Sequence, residues 1–311
     1  MNGHLYTLVR VESAPRYCYR HPKRETGLSC SECGRPICYE CMTPAAVGLR
    51  CPDHSGKPQG IRRVTVAAER AATGAGSGRP YLVTMILIAA NVGVYLVELA
   101  IGGNQGGTNN WLYNHGVLVA NAAYLPGGLL EWGPPGARAA AGVHLVGVTH
   151  GEWWRLITTA FLHYGIVHLG FNMVSLYFGG RILEPMIGRW RYLLLYLVSA
   201  VAASAGALYV TPNSPSAGAS GAIFGVFGAL LVLEQRRMIS TGGQVLGLIL
   251  INLFLDEFVF TGISIGAHIG GLIAGALIMF AYLHFRRSAQ LSITAAAAVL
   301  VASVVIAYVV I

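Results

Sequence analysis

Charge is scarce in these 311 residues: Asp, Glu, Lys and Arg together make up 11% of the chain, under half the share of an ordinary globular domain. With a mean hydropathy of +0.57, that scarcity excludes a soluble protein of this length and points to the membrane. Acidic residues are the scarcer sign, 13 against 21 basic, for a net charge of +8. The basic residues sit in short clusters between apolar runs, which reads as membrane topology and not as a nucleic-acid surface. Cysteine is absent after Cys51, all six lying between Cys18 and Cys51. Met1 to Tyr17 has no apolar core, so no cleavable signal peptide is expected.

The cysteine asymmetry sets a small Cys/His module, residues 1–55, apart from the rest. It reads Cys18-x2-His21, Cys30-x2-Cys33, Cys38-x2-Cys41 and Cys51-x2-His54, four pairs and so eight ligands for two tetrahedral zinc ions. A two-residue spacing lets one tight turn aim both side chains at one ion. Only four residues separate Cys33 from Cys38, which favours interleaving, with Cys18, His21, Cys38 and Cys41 on one zinc and Cys30, Cys33, Cys51 and His54 on the other. Sequential pairing and three disulfides are the alternatives; a reducing compartment argues against disulfides. The spacing resembles the B-box class of zinc finger, a structural and protein-binding module, which implies a cytoplasmic protein partner. Closed Cys/His sites are structural, so the zinc would take no part in catalysis.

Residues 56–80 form a flexible basic linker rich in Gly and Arg. Seven apolar runs follow, each near the roughly 20 residues a bilayer requires: Tyr81–Ile101, Tyr164–Arg181, Tyr192–Val210, Pro215–Leu233, Val245–Phe260, Gly266–Phe285 and Leu291–Ile311. The expected fold is therefore an all-α polytopic membrane protein, with six spans in residues 81–285 and one more in 286–311. A long first loop, 102–160, is dotted with interfacial Trp and Tyr. Arg62, Arg63, Arg70 and Arg79, then Arg181, Arg189 and Arg191, then Arg236 and Arg237, then Arg286 and Arg287 fall on alternate loops, against Arg138 and Arg155 opposite. The positive-inside rule then puts the N-terminus in the cytoplasm and the C-terminus outside, in a multi-pass protein of the cell membrane. Asp256 and Glu257, closing the fifth span, read as interfacial stops.

In this topology spans two, four and six all enter from the outer face, and each carries its unusual polar group near that face. These are His168 and Asn172 at i, i+4 spacing, then Ser220, then His268. Glycines at 221, 225 and 228 on span four and at 271 and 275 on span six let the two backbones approach closely. That would bring the Ser220 hydroxyl and the His268 imidazole within hydrogen-bond reach, as nucleophilic catalysis requires. A serine in an apolar helix ordinarily packs or bonds back to its own carbonyls. Two histidines and an asparagine at matched depth weigh against that, because ionisable groups inside a membrane are costly. Neither an HExxH motif nor a G-x-S-x-G elbow is present, residue 222 being Ala.

Gly218-Ala-Ser220-Gly221, His168-x3-Asn172, Ala267-His268-Ile-Gly270-Gly271 and Glu152-Trp153-Trp154-Arg155 together resemble the rhomboid family of intramembrane serine proteases, over about residues 81–285. The seventh span resembles the form with one extra C-terminal helix. The resemblance implies a Ser220–His268 dyad without an acidic third member and without a catalytic cofactor. It implies an oxyanion-stabilising pair in His168 and Asn172, and transmembrane proteins cut near their outer ends as substrates. It further implies a structural Trp154-Arg155 motif in a loop lying partly in the membrane, and a fifth span concerned with substrate entry. Water would reach the site through a polar cavity, open to the outside, between spans two, four, five and six. The competing classes are a non-catalytic membrane adaptor, binding helices and a cytoplasmic partner, and a transporter. No inverted repeat supports the transporter.

Overall fold

The computed structural model describes residues 15–44, 49–55, 81–101, 110–124, 130–132, 144–258 and 264–311. The chain divides into two compact units, Met1–Gly78 and Arg79–Ile311. The expected 56–80 linker lies outside the described residues, as do the side chains of Asp256 and Glu257.

In the first unit, strands β1 (Tyr17–Cys18) and β2 (His21–Glu25) form one antiparallel hairpin, and β3 (Thr43–Pro44) and β4 (Leu49–Arg50) form another. A short helix, α1 (Pro52–Ser55), closes the unit. Its core is little more than Ile37, Met42 and the buried cysteines. So few apolar residues do not offset the entropy of ordering the chain, which is why such modules use a metal.

The second unit is a helical bundle: α2 (Leu82–Ala100), α5 (Ile166–Ile187), α6 (Arg189–Val210), α7 (Ser220–Gln235), α8 (Gln244–Phe258), α9 (Ile265–His284) and α10 (Ala289–Val309). They match the seven expected apolar runs. Five are long and apolar enough to cross a membrane; α7 and α8 are shorter. The first loop is more ordered than its composition suggests. It folds into α3 (Trp111–Gly116), α4 (Arg155–Thr158) and a three-stranded sheet of β5 (Ala122–Tyr124), β6 (Leu130–Trp132) and β7 (His144–Val146), with β5 in the centre. These three-residue strands are too short to leave an alternating pattern in the sequence.

Helices α6, α7 and α9 form the densest part, and α10 packs on α6. A side chain on Gly271 would run into the Gly221 carbonyl, and one on Gly275 into that of Gly225. The two backbones touch, the close approach that small residues permit. At the end away from Ser220, buried Glu184 of α5 accepts hydrogen bonds from the N–H groups of Val83 and Thr84 at 2.9 and 2.8 Å, and from the Thr84 hydroxyl at 2.7 Å. A carboxyl acceptor thereby satisfies the otherwise unpaired donors of the first turn of α2. The sequence reading did not identify Glu184.

Candidate active site

Residue 220 is the first of α7, five positions later than the helix expected from Pro215. Pro215 is a plausible helix start by residue type, but tertiary contacts hold 215–219 out of the helix. Ser216 and Leu118 exchange backbone hydrogen bonds at 3.1 and 3.0 Å, the Tyr164 hydroxyl donates to the Pro215 carbonyl at 3.2 Å, and the Gly218 N–H donates to the Thr159 carbonyl at 3.0 Å. Gly218 has φ +136°, a conformation that side chains resist, and a Cβ there would lie 2.8 Å from Cε1 of His168. The later start leaves the Ser220 N–H without an intrahelical partner, at the positive end of the helix dipole.

His268 sits in the first turn of α9, with Nε2 2.9 Å from Ser220 Oγ. Both residues are buried. The His268 ring stacks on Phe224 at 4.3 Å between centroids and 19° between planes. Phe224 lies at i+4 from Ser220, on the same face of α7. Sequence reasoning passed over Phe224 as one more apolar helix residue; its i+4 spacing from the serine was the available signal. His168 and Asn172 are buried on α5, and the Asn172 amide donates to the His168 carbonyl at 2.9 Å. His168 flanks Gly218 and is stacked on Tyr164 at 5.7 Å.

The cavity touching Ser220 is about 20 Å³, room for about one water. It is walled by Leu118 and Thr159 of the first loop, Ala203 and Ser204 of α6, and Ala267 of α9. The small residues of α6 bring that helix against the site.

The first loop is held by Arg155. Its fully buried guanidinium donates to Glu152 at 2.6 Å and to the carbonyls of Asn114 and Val117 at 2.9 and 2.7 Å. Glu152 also accepts from the Gly147 N–H at 2.7 Å, and Trp154 donates to the His115 carbonyl at 3.1 Å. One buried ion pair thus ties α3, the sheet and α4 together.

In the N-terminal unit the ligands converge as two sets, Cys18, His21, Cys38 and Cys41, and Cys30, Cys33, Cys51 and His54, the ligand atoms of each set lying within 4.8 Å of one another. This is the interleaved grouping. Among the described residues these are the only such groups. Nδ1 of His21 lies 3.3 Å from the sulfurs of Cys38 and Cys41, and Nδ1 of His54 is 3.1 Å from that of Cys51. Cys33 and Cys51 are 3.8 Å apart, and all six cysteines are free thiols. Tetrahedral zinc bonds of about 2.3 Å to sulfur and about 2.0 Å to nitrogen put ligand atoms about 3.5–3.8 Å apart, so the donor sets fit that ion. Burial raises the Cys18 and Cys30 thiols, but hydrogen bonds from backbone N–H groups outweigh it and bring both down to about 6.

The rhomboid domain model matches residues 150–285. The putative rhomboid protease YdcA of Bacillus subtilis (strain 168) is 40% identical over 142 residues, 43% of this chain and 70% of that protein. The chain belongs to the rhomboid family. Rhomboid protease AarA of Providencia stuartii is 31% identical over 188 residues, 51% of this chain and 67% of its own length. Rhomboid protease GluP of Bacillus subtilis is 45% identical over 132 residues, 41% of this chain but 26% of GluP, so the likeness spans about a quarter of that relative. The matched rhomboid region contains Ser220, His268, His168, Asn172 and the Trp154-Arg155 pair; the Cys/His unit precedes it.

Proposed function

We propose that this rhomboid is an intramembrane serine endopeptidase that cleaves transmembrane proteins near the outer surface of the cell membrane. The observation that carries the reading is the 2.9 Å separation of Ser220 Oγ and His268 Nε2 at the start of two helices in backbone contact. With Nε2 unprotonated, the Ser220 hydroxyl donates to it. As Oγ attacks the scissile carbonyl, the proton passes to Nε2 and is then given to the leaving amine. Water, activated by the same imidazole, hydrolyses the acyl-enzyme and frees Ser220. The Ser220 N–H, His168 and the Asn172 amide stabilise the developing oxyanion, Asn172 by turning from the His168 carbonyl. Phe224 keeps the imidazole facing the serine.

The 16 residues of α7 rise about 24 Å against a hydrocarbon thickness of about 30 Å, which recesses Ser220 below the surface. On this reading an element moves to admit the peptide to the buried Ser220. We assign that movement to helix α8, on which Leu246, Leu250, Ile251 and Phe254 are exposed and Asn252 donates to Ser175 of α5 at 3.0 Å. The basic loops orient the chain with its N-terminus in the cytoplasm. There the Cys/His unit binds two structural zinc ions and a protein partner.

The test is labelling of the full chain by a fluorophosphonate probe in detergent, with cleavage of a transmembrane reporter. Wild type is expected to label and cleave, and Ser220→Ala and His268→Ala to do neither. Labelling that survives Ser220→Ala, or a folded wild type that neither labels nor cleaves, would overturn the assignment and favour an adaptor.

A further inference from the structure

At the end of the bundle away from Ser220, the last turns of α5, α7 and α9 and the first turn of α6 enclose a cavity of about 560 Å³. Three arginines line it: Arg191 from α6, Arg236 just after α7 and Arg286 just after α9. None of its lining residues is acidic, and among the described residues none of these arginines has a carboxylate within 4.0 Å. Two are held in place by aromatic rings: Arg191 lies over Tyr282 at 5.5 Å and Arg236 over Phe280 at 5.3 Å. His284 and Tyr282 add polar atoms to the wall, the rest of which is apolar, and Met186 and Phe280 are exposed beside it. Lone arginines at helix ends are ordinary in membrane proteins, where they meet water and the helix dipole. Three from different elements, converging on one cavity beside exposed apolar side chains and with no carboxylate among its lining, suit an anion with a hydrocarbon part.

We propose that this cavity binds the headgroup phosphate of an anionic phospholipid from the membrane face opposite Ser220, with the acyl chains running along Met186 and Phe280. Guanidinium groups suit a phosphate because their planar N–H groups pair with two oxygens at once. Basic pockets between transmembrane helices are a recurrent form of lipid headgroup site. The lipid would bridge the ends of α5, α6, α7 and α9, the helices that position His168, Ser220 and His268 at their other ends.

The experiment is native mass spectrometry of the delipidated full chain, titrated with phosphatidylglycerol or with phosphatidylcholine of the same acyl chains. Wild type is expected to retain one phosphatidylglycerol with roughly tenfold preference, and the triple change Arg191→Gln, Arg236→Gln, Arg286→Gln to abolish that preference. The triple change to Lys should keep most of it, and Ser220→Ala should bind as wild type, which separates this site from the catalytic reading. Equal retention of the two lipids, an unaffected Gln variant, or displacement by millimolar inorganic phosphate would overturn the proposal, the last by making the site one for a free anion. If the Gln variant does not fold, a photoactivatable phosphatidylglycerol on wild type decides: crosslinks are expected within 186–191, 233–238 and 279–286, and crosslinks elsewhere would sink it.

Discussion

Single atoms decide what Ser220 can do. Gly218 is the sharpest case, because its positive φ and the nearness of the His168 ring both forbid a side chain. Gly218→Ala is expected to lower kcat by at least a hundredfold while the protein stays folded, checked by reporter cleavage beside circular dichroism. If Asn172 donates to the oxyanion as proposed, Asn172→Ala should cost about 2.7–4 kcal/mol of transition-state stabilisation, seen in kcat more than in KM. If Asn172 only packs, kcat would hold and Tm would fall instead. On α2, Glu98 is fully buried, with the His163 backbone N–H the protein donor nearest its carboxyl. One such donor does not offset the cost of burying a carboxyl, so Glu98→Leu should raise Tm.

Elements differ in how firmly they are held. Helices α7 and α9 meet backbone to backbone, with no space for a methyl group at Gly275. Gly275→Val should separate them, lowering Tm by several degrees and opening the 2.9 Å contact between Ser220 and His268, measured as parallel loss of stability and labelling. Helix α8 is the opposite case, tied to α5 through Asn252 and Ser175. Ser175→Ala removes that tie and should speed cleavage of transmembrane substrates severalfold, with fluorophosphonate labelling little changed. A fall in both rates would make the pair structural and leave α8 without a gating role.

The whole chain joins two units stabilised by different means. The bundle is held by apolar and small-residue packing, the N-terminal unit by its two thiol and imidazole clusters. Metal analysis is expected to find two zinc ions per chain. Chelation should expose residues 15–55 to proteolysis while Ser220 still labels, because metal binding and folding are one equilibrium in such modules. Loss of labelling on chelation would mean that the two units fold together.

The sequence by itself carried the seven apolar helices, the Cys/His unit and the choice of Ser220, His268, His168 and Asn172 as candidates. Hydrophobic run length, two-residue ligand spacing and the position of rare polar groups are local properties, and they survive folding unchanged. What only the tertiary structure decided depends on contacts distant in the chain. Leu118 and Ser216 pair across almost a hundred residues and delay the start of α7 to Ser220, which frees the N–H that a helix from Pro215 would have used. Likewise Glu184 caps α2 from about a hundred positions away, and Phe224 becomes more than a packing residue only once α9 lays His268 upon it. Local pattern fixes which segments become helices; which of their atoms meet is set by packing, and packing has no period to read.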